Sequence, residues 1–221
     1  MFWRKKRLPY ELQRPFQLDT KLRDMSFTIF DTETTGFSIA SHDRLIEIGA
    51  VQVEGFYVTD RTFQTFVNPD RDIPEHITKL TSISQREVEG APSSLEAIQA
   101  YFQFVEENQS GGWIGHHVSF DEMVLKNELQ REKLTYDPPS SFDTMDLINY
   151  LNPTWDQQDL ENYSNVFGTR TFERHRALGD ALTTAHLFVE VLRCLEERGV
   201  TTLADLLRLR NGKAQQSIAL F

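Results

Sequence analysis

One cysteine, no long apolar run and a deficit of positive charge set the first limits on this chain. Cys194 stands alone among 221 residues, so no intrachain disulfide is available. Its apolar helical surroundings predict a buried, unreactive thiol in a reducing compartment. No stretch approaches the roughly 18 apolar residues of a membrane-spanning helix. The basic opening MFWRKKR runs into LPYELQRPF where a signal peptide would carry its apolar region. A cytoplasmic location without a membrane partner is the expectation. Lys and Arg number 23 against 33 Asp and Glu, a net charge of −10. A broad basic surface for coating nucleic acid is thereby excluded, and any nucleic acid must be gripped locally.

What is present reads as one globular domain with appendages, 39% hydrophobic and 25% charged. Residues 1–25 hold seven basic and three acidic side chains and are broken by Pro9 and Pro15. They read as a basic arm laid on the body, with Phe2, Trp3 and Phe16 docked on the core. The main domain follows over 26–200, and 201–221 form a last helix and tail.

From Ser26 the texture is that of strands: SFTIFDTE, then RLIEIGAVQVEG with alternating Ile46, Ile48, Val51 and Val53, then RTFQTFVN. Connections this short allow only an antiparallel meander, because a parallel neighbour needs a crossover of about a dozen residues or more. Helices come next. IPEHITKLTSIS predicts a short one, and SSLEAIQAYFQFVEEN a longer one behind a serine cap, with Leu95, Ile98, Phe102 and Val105 at helical spacing. GGWIGHH predicts a short strand, SFDEMVLKNELQREK a helix, and SSFDTMDLINYL a strand edge entering a helix. A long helix spans about Ala177 to Arg198. TTLADLLRLR is a shorter one, which Asn211 and Gly212 are expected to stop. The result is an α/β fold, a mixed sheet of antiparallel meander plus parallel strands flanked by helices.

The chemistry concentrates in three places. In DTETTGF, Asp31 and Glu33 stand two apart at a strand end and project from one face. Such a pair suits a hard divalent cation that also takes substrate phosphate. In GHHVSFDEM, Asp121 sits in the first turn of a helix. In HRALGDALTTAHLF, His175 stands five residues before an Asp180 that lies in the opening turns of the long helix.

Taken in order, DxETTG, HxVSFD and HRALxDA resemble the DEDDh family of 3′-to-5′ exonucleases, which includes the proofreading epsilon subunit of bacterial DNA polymerase III. The likeness covers residues 26–195 and fills all five diagnostic positions. It implies a ribonuclease H-like fold and an exonuclease domain. It also implies two divalent cations, Mg²⁺ or Mn²⁺, held by Asp31, Glu33, Asp121 and Asp180, with His175 as general base. Histidine suits that task, since its unperturbed pKa of roughly 6.5 lies close to neutrality. One ion and His175 would activate a water against the last phosphodiester while the other steadies the departing 3′-oxygen.

The same likeness implies that backbone groups around Thr34 and Gly36 receive the terminal 3′-hydroxyl. Phe37 is expected to wedge against the last base, and Ile83 and His116 to contact the substrate. Asp143 and Thr144 match a family Asp-Thr pair of structural role. The chain departs from the family at His117, where asparagine is frequent. The tail NGKAQQSIALF is similar to peptides that enter the groove of the bacterial sliding clamp, with Gln215, Ile218, Leu220 and Phe221 at the matching positions. The function expected is removal of nucleotides from single-stranded or frayed DNA 3′ ends in proofreading or repair, beside a clamp and a DNA polymerase. The alternatives are an RNA-trimming enzyme and a non-catalytic 3′-end binding module.

Overall fold

The computed structural model describes residues 6–155 and 159–218, with side chains through Arg210. The chain enters on β1 (Lys6–Arg7), passes a 3₁₀ turn at Leu22–Asp24 and rises into β2 (Ser26–Thr34). β3 (Leu45–Glu54) and β4 (Tyr57–Phe66) complete the expected meander; β2 pairs antiparallel with β3, and β3 with β4. Three helices come next, α1 (Glu75–Thr81), α2 (Gln85–Val88) and α3 (Ser94–Glu107), then β5 (Trp113–Gly115), α4 (Val118–Arg131) and β6 (Leu134–Thr135). The chain closes through β7 (Ser141–Asp143), α5 (Thr144–Leu151), α6 (Leu160–Phe167), α7 (Ala177–Glu197) and α8 (Leu203–Ile218). The main sheet runs in the order β4-β3-β2-β5-β7, with β5 parallel to both β2 and β7. β1 and β6 pair separately.

Nine of the ten residues of β3 are buried, so this strand is covered on both faces. Alternation along β2 sorts its side chains between two cores. Phe27 and Ile29 face α5, α7 and α8 with Phe188, Leu192 and Leu206; Phe30 faces α3 and α4 with Tyr101, Phe102 and Trp113. α3 starts where a serine cap is expected: Ser93 accepts from the Glu96 N–H while the Glu96 carboxylate accepts from Ser93 N–H. The N-terminal segment is part of the packing, since Leu8 and Leu12 are buried in the second core and Leu22 and Met25 in the first. Phe16 packs partly buried against the first core; Phe2 and Trp3 lie outside the described residues.

Two expectations need correction. α8 does not stop at Asn211 and Gly212 but continues to Ile218. A glycine costs a helix only about 1 kcal/mol relative to alanine, and Lys213, Ala214, Gln215 and Gln216 beyond it are good helix formers. Gln215 and Ile218 therefore belong to this helix, while Leu220 and Phe221 lie outside the described residues. His175 lies just before α7, as the expected start at Ala177 requires, and Arg176 is the N-cap. Cys194 is half-buried rather than buried, on a face of α7 that borders the first core; burial still pushes its thiol up.

Candidate active site

Asp31 and Glu33 continue the face of β2 that begins with Phe27 and Ile29, and this is the face on which α7 lies. Across the ladder Asp31 stands opposite Gly49 and Glu33 opposite Glu47. A Cβ at Gly49 would lie 2.1 Å from the Leu178 backbone nitrogen, so only glycine lets the start of α7 come down on β3. That close approach delivers Asp180 to the pair. Carboxylate oxygens of Asp31, Glu33 and Asp180 all lie within 4.8 Å of one another.

Asp121 arrives from the opposite layer, on α4. Its Oδ1 accepts from the Thr32 N–H at 2.9 Å and from the Thr32 hydroxyl at 2.6 Å. Thr32, between the two acids of β2, thus fixes the fourth carboxylate. It is outside the tight group of three, yet its charge raises the pKa of both Asp31 and Glu33.

Burial is the main cause of upward pKa shifts throughout the cluster. Asp31 is held well above the ordinary carboxylate range by burial and then by repulsion from Asp121, Glu33 and Asp180. Glu33 is pushed up to about 8 by burial, with Asp180, Glu47 and Asp121 adding to it. Asp121 rises to about 7 through burial, opposed by its bonds from Thr32. Asp180 also rises through burial, held back by Arg174 and the His175 N–H. Oxygen donors gathered at this spacing, with their charges mutually opposed, fit a hard divalent cation; ligation requires them deprotonated.

The segment carrying His175 is pinned to α7 at four points. The Phe172 N–H donates to the Thr183 hydroxyl at 3.0 Å, and the His175 N–H to Asp180 Oδ2 at 3.0 Å. Arg174 Nη1 pairs with Asp180 Oδ1. Glu173 passes so close to Gly179 that a Cβ there would fall 1.9 Å from the Glu173 carbonyl oxygen. His175 itself takes φ +58°, in the sparse left-handed region. Below it, the fully buried Glu47 carboxylate accepts from Ala177 N–H at 2.9 Å, from Arg176 at 3.1 Å and from Gln64 at 2.7 Å. These bonds tie the start of α7 to the sheet. Arg174, Gly179, Glu47 and Thr32 carry no motif of their own. Their importance comes from pairings across the fold.

The residues expected to meet substrate divide. Phe37 is 82% exposed, with its ring 5.9 Å from that of Phe120, one residue before Asp121. Phe120 has an equal claim to a base contact, one that the motifs alone did not single out. Gly36 takes φ +154°, and Asp43, which would block a Cβ there, organises the loop by accepting from Ser38 N–H and the Thr35 hydroxyl. The Thr34 hydroxyl donates to the Gly36 carbonyl at 2.8 Å.

Ile83 overturns its expectation. It is fully buried against Ile46, Ile77 and Val88 and has no surface for a base. Leu80, on α1, is the exposed apolar side chain nearby in sequence. His116 is half-buried, its Nδ1 2.8 Å from the Thr144 hydroxyl, and burial lowers its pKa to about 4. His117 is exposed and takes φ +66° at the N-cap of α4. Asparagine and histidine are both enriched in that conformation, so the departure from the family preserves a backbone requirement. Asp143 accepts from His117, Val118 and Met145 N–H groups, joining the starts of α4 and α5.

Three carboxylates within 4.8 Å of one another, a fourth bonded to Thr32 and a histidine bonded through its backbone to Asp180 make an arrangement suited to metal-assisted hydrolysis of a phosphodiester. The exonuclease family model (RNase_T) matches residues 28–188. A PolC-type DNA polymerase III of Caldanaerobacter subterraneus subsp. tengcongensis is 34% identical over 185 residues, 81% of this chain and 12% of that protein. The 3′-5′ exonuclease DinG of Bacillus subtilis is 31% identical over 183 residues, 83% of this chain and 19% of that protein. The chain thus spans less than a fifth of these relatives. Among solved structures, Exonuclease X with 5′-overhanging duplex DNA superposes with a TM-score of 0.64 at 23% identity, over 83% of this chain and 99% of that one. Exonuclease I gives 0.66 at 20% identity, over 79% and 43%. The chain belongs to the exonuclease family, and its motifs are those of the DEDDh 3′-to-5′ exonucleases. The sheet is the ribonuclease H-like sheet expected, and the family is divalent-metal dependent.

Proposed function

We propose that this chain removes nucleotides one at a time from the 3′ end of single-stranded or frayed DNA, releasing nucleoside 5′-monophosphates in proofreading or repair. The observation that carries this reading is the convergence of Asp31, Glu33 and Asp180 within 4.8 Å, with His175 hydrogen-bonded through its backbone to the last of them. Two divalent cations, Mg²⁺ or Mn²⁺, would supply charge neutralisation and a more acidic water. Asp31, Glu33, Asp121 and Asp180 hold them. His175, half-buried and in the left-handed backbone region, takes the proton of the attacking water. Phe37 and Phe120 offer ring faces to the terminal base, which suits a substrate of any sequence. The loop from Thr34 to Gly36 receives the terminal sugar.

DNA is favoured over RNA by the polymerase relatives and by a neighbour bound to a dA16 oligonucleotide, Exonuclease I of E. coli. A polymerase partner and a clamp contact through the tail belong to the same reading. End-labelled DNA and RNA strands digested with Mg²⁺ or Mn²⁺ test it. Wild type should shorten DNA from its 3′ end, and Asp31→Ala and His175→Ala should each lose most of that activity while keeping the far-ultraviolet circular dichroism of the parent. Preferential loss of RNA would move the assignment to RNA trimming. Binding of 3′ ends with no hydrolysis by wild type would leave a recognition module.

A further inference from the structure

We propose that Arg174 is a built-in competitor for the metal site, a guanidinium that occupies Asp180 in the metal-free protein and must leave when a divalent cation binds. This rests on the reading that the carboxylate cluster holds such cations. Both oxygens of Asp180 are engaged by a single dipeptide: Oδ1 by the Arg174 guanidinium and Oδ2 by the His175 N–H at 3.0 Å. Among the described residues, Asp180 is the one of the three clustered carboxylates with an ion pair. Arg174 also favours the ionised forms of Asp31 and Glu33, so its charge acts on the whole group.

A guanidinium cannot discharge in a protein, so it yields a carboxylate oxygen only by moving away. The Asp180 side chain is 8% exposed and that of Arg174 27%, which limits the screening of this pair by water. A divalent cation at Oδ1 would meet the guanidinium at that same oxygen, and two positive charges on one acceptor repel. Binding the ion therefore includes the cost of breaking a charge-assisted hydrogen bond. The consequence reaches the base as well. Arg174 precedes His175, which sits in the left-handed region, so release of Arg174 removes one of the ties that hold the His175 segment against α7.

Titration of Mn²⁺ into the full-length metal-free chain, monitored by calorimetry and by electron paramagnetic resonance of the free ion, tests this without any turnover. Arg174→Gln should bind Mn²⁺ roughly tenfold more tightly or better, the ratio expected for loss of one such bond. Arg174→Lys, which keeps a competing cation, should stay near wild type. Arg170→Gln is the charge control: its guanidinium lies over the Phe172 ring, 5.0 Å from the centroid, in the same segment. Its affinity should equal that of wild type. Equal or weaker binding by Arg174→Gln overturns the proposal, and so does the same tightening in Arg170→Gln. Failure of every protein to bind Mn²⁺ overturns the metal reading itself, and the competitor role falls with it.

Discussion

Glu33 concentrates the electrostatic tension of the site in one side chain. It faces Glu47 across the β2–β3 ladder and Asp180 from α7, and its pKa is raised from 4.5 to about 8, first by burial and then by those charges. The folded metal-free protein therefore keeps a proton that the unfolded chain gives up near pH 4.5. This contribution to stability is lost as the pH rises from there towards about 8. Glu33→Gln removes the titration, so the Tm of the metal-free variant should fall less between pH 5 and 8 and exceed that of wild type at pH 8. Each kcal/mol corresponds to about 2–4 °C in a domain of this size. Differential scanning fluorimetry in chelator reads the difference, and parallel curves for the two proteins would refute the assignment. Phe37 belongs to the same scale. Its exposed ring beside Phe120 is spare apolar surface unless a base covers it. Replacement by alanine should raise KM for short DNA strands about tenfold, within the 1–3 kcal/mol of a base–aromatic stack. The kcat should change much less. An unchanged KM would place the terminal base elsewhere.

At the scale of elements, the site depends on how closely α7 and the segment before it can pack. Gly179→Ala puts a methyl group 1.9 Å from the Glu173 carbonyl oxygen if nothing moves, so the segment must shift and carry Arg174 and His175 with it. A displacement of about 1 Å at a reacting group costs about 10²-fold in rate, so kcat should drop on that order. Alanine favours the helix, so the circular dichroism should be unchanged. Activity equal to wild type would show that His175 needs no such placement.

This dependence also marks what could be read in the sequence. The meander was legible because alternation in RLIEIGAVQVEG and short turns leave no other pairing. The long helices were legible from their spacing and caps. The acids of DTETTGF were visible as chemistry through strand geometry. Arg174, Gly179 and Glu47 were not, because each matters through a partner reached by folding; Glu47 anchors Ala177 from 130 residues away. Ile83 was misassigned for a related reason, since a lone isoleucine after a short helix carries no signal of which side the core occupies. The end of α8 was misplaced because Asn-Gly stops a helix only when the residues beyond it are poor helix formers.

At the scale of the whole molecule, charge decides how the enzyme meets its substrate. The net charge is −10, and Asp31, Glu33, Asp121 and Asp180 add acidic groups at the place proposed for the strand end. Cations bound there would offset that charge without adding a basic groove along the strand. Binding of free DNA should thus be weak and the action distributive unless a partner holds the chain near the 3′ end. The tail proposed for that role begins inside α8, whose anchoring residues Leu203 and Leu206 are buried well before Gln215. Deleting residues 215–221 consequently removes the last described residues of the helix and leaves its packed half in place. A bacterial sliding clamp loaded on a primed template should stimulate the full-length chain about 10²-fold or more, the range that tethering alone supplies. The deletion should lose that stimulation and retain the basal rate on short single strands. Both rates come from one gel assay with and without clamp. Equal stimulation of the two proteins would rule out the tail as the clamp contact, and a lower basal rate in the deletion would assign the end of α8 to the nuclease fold itself.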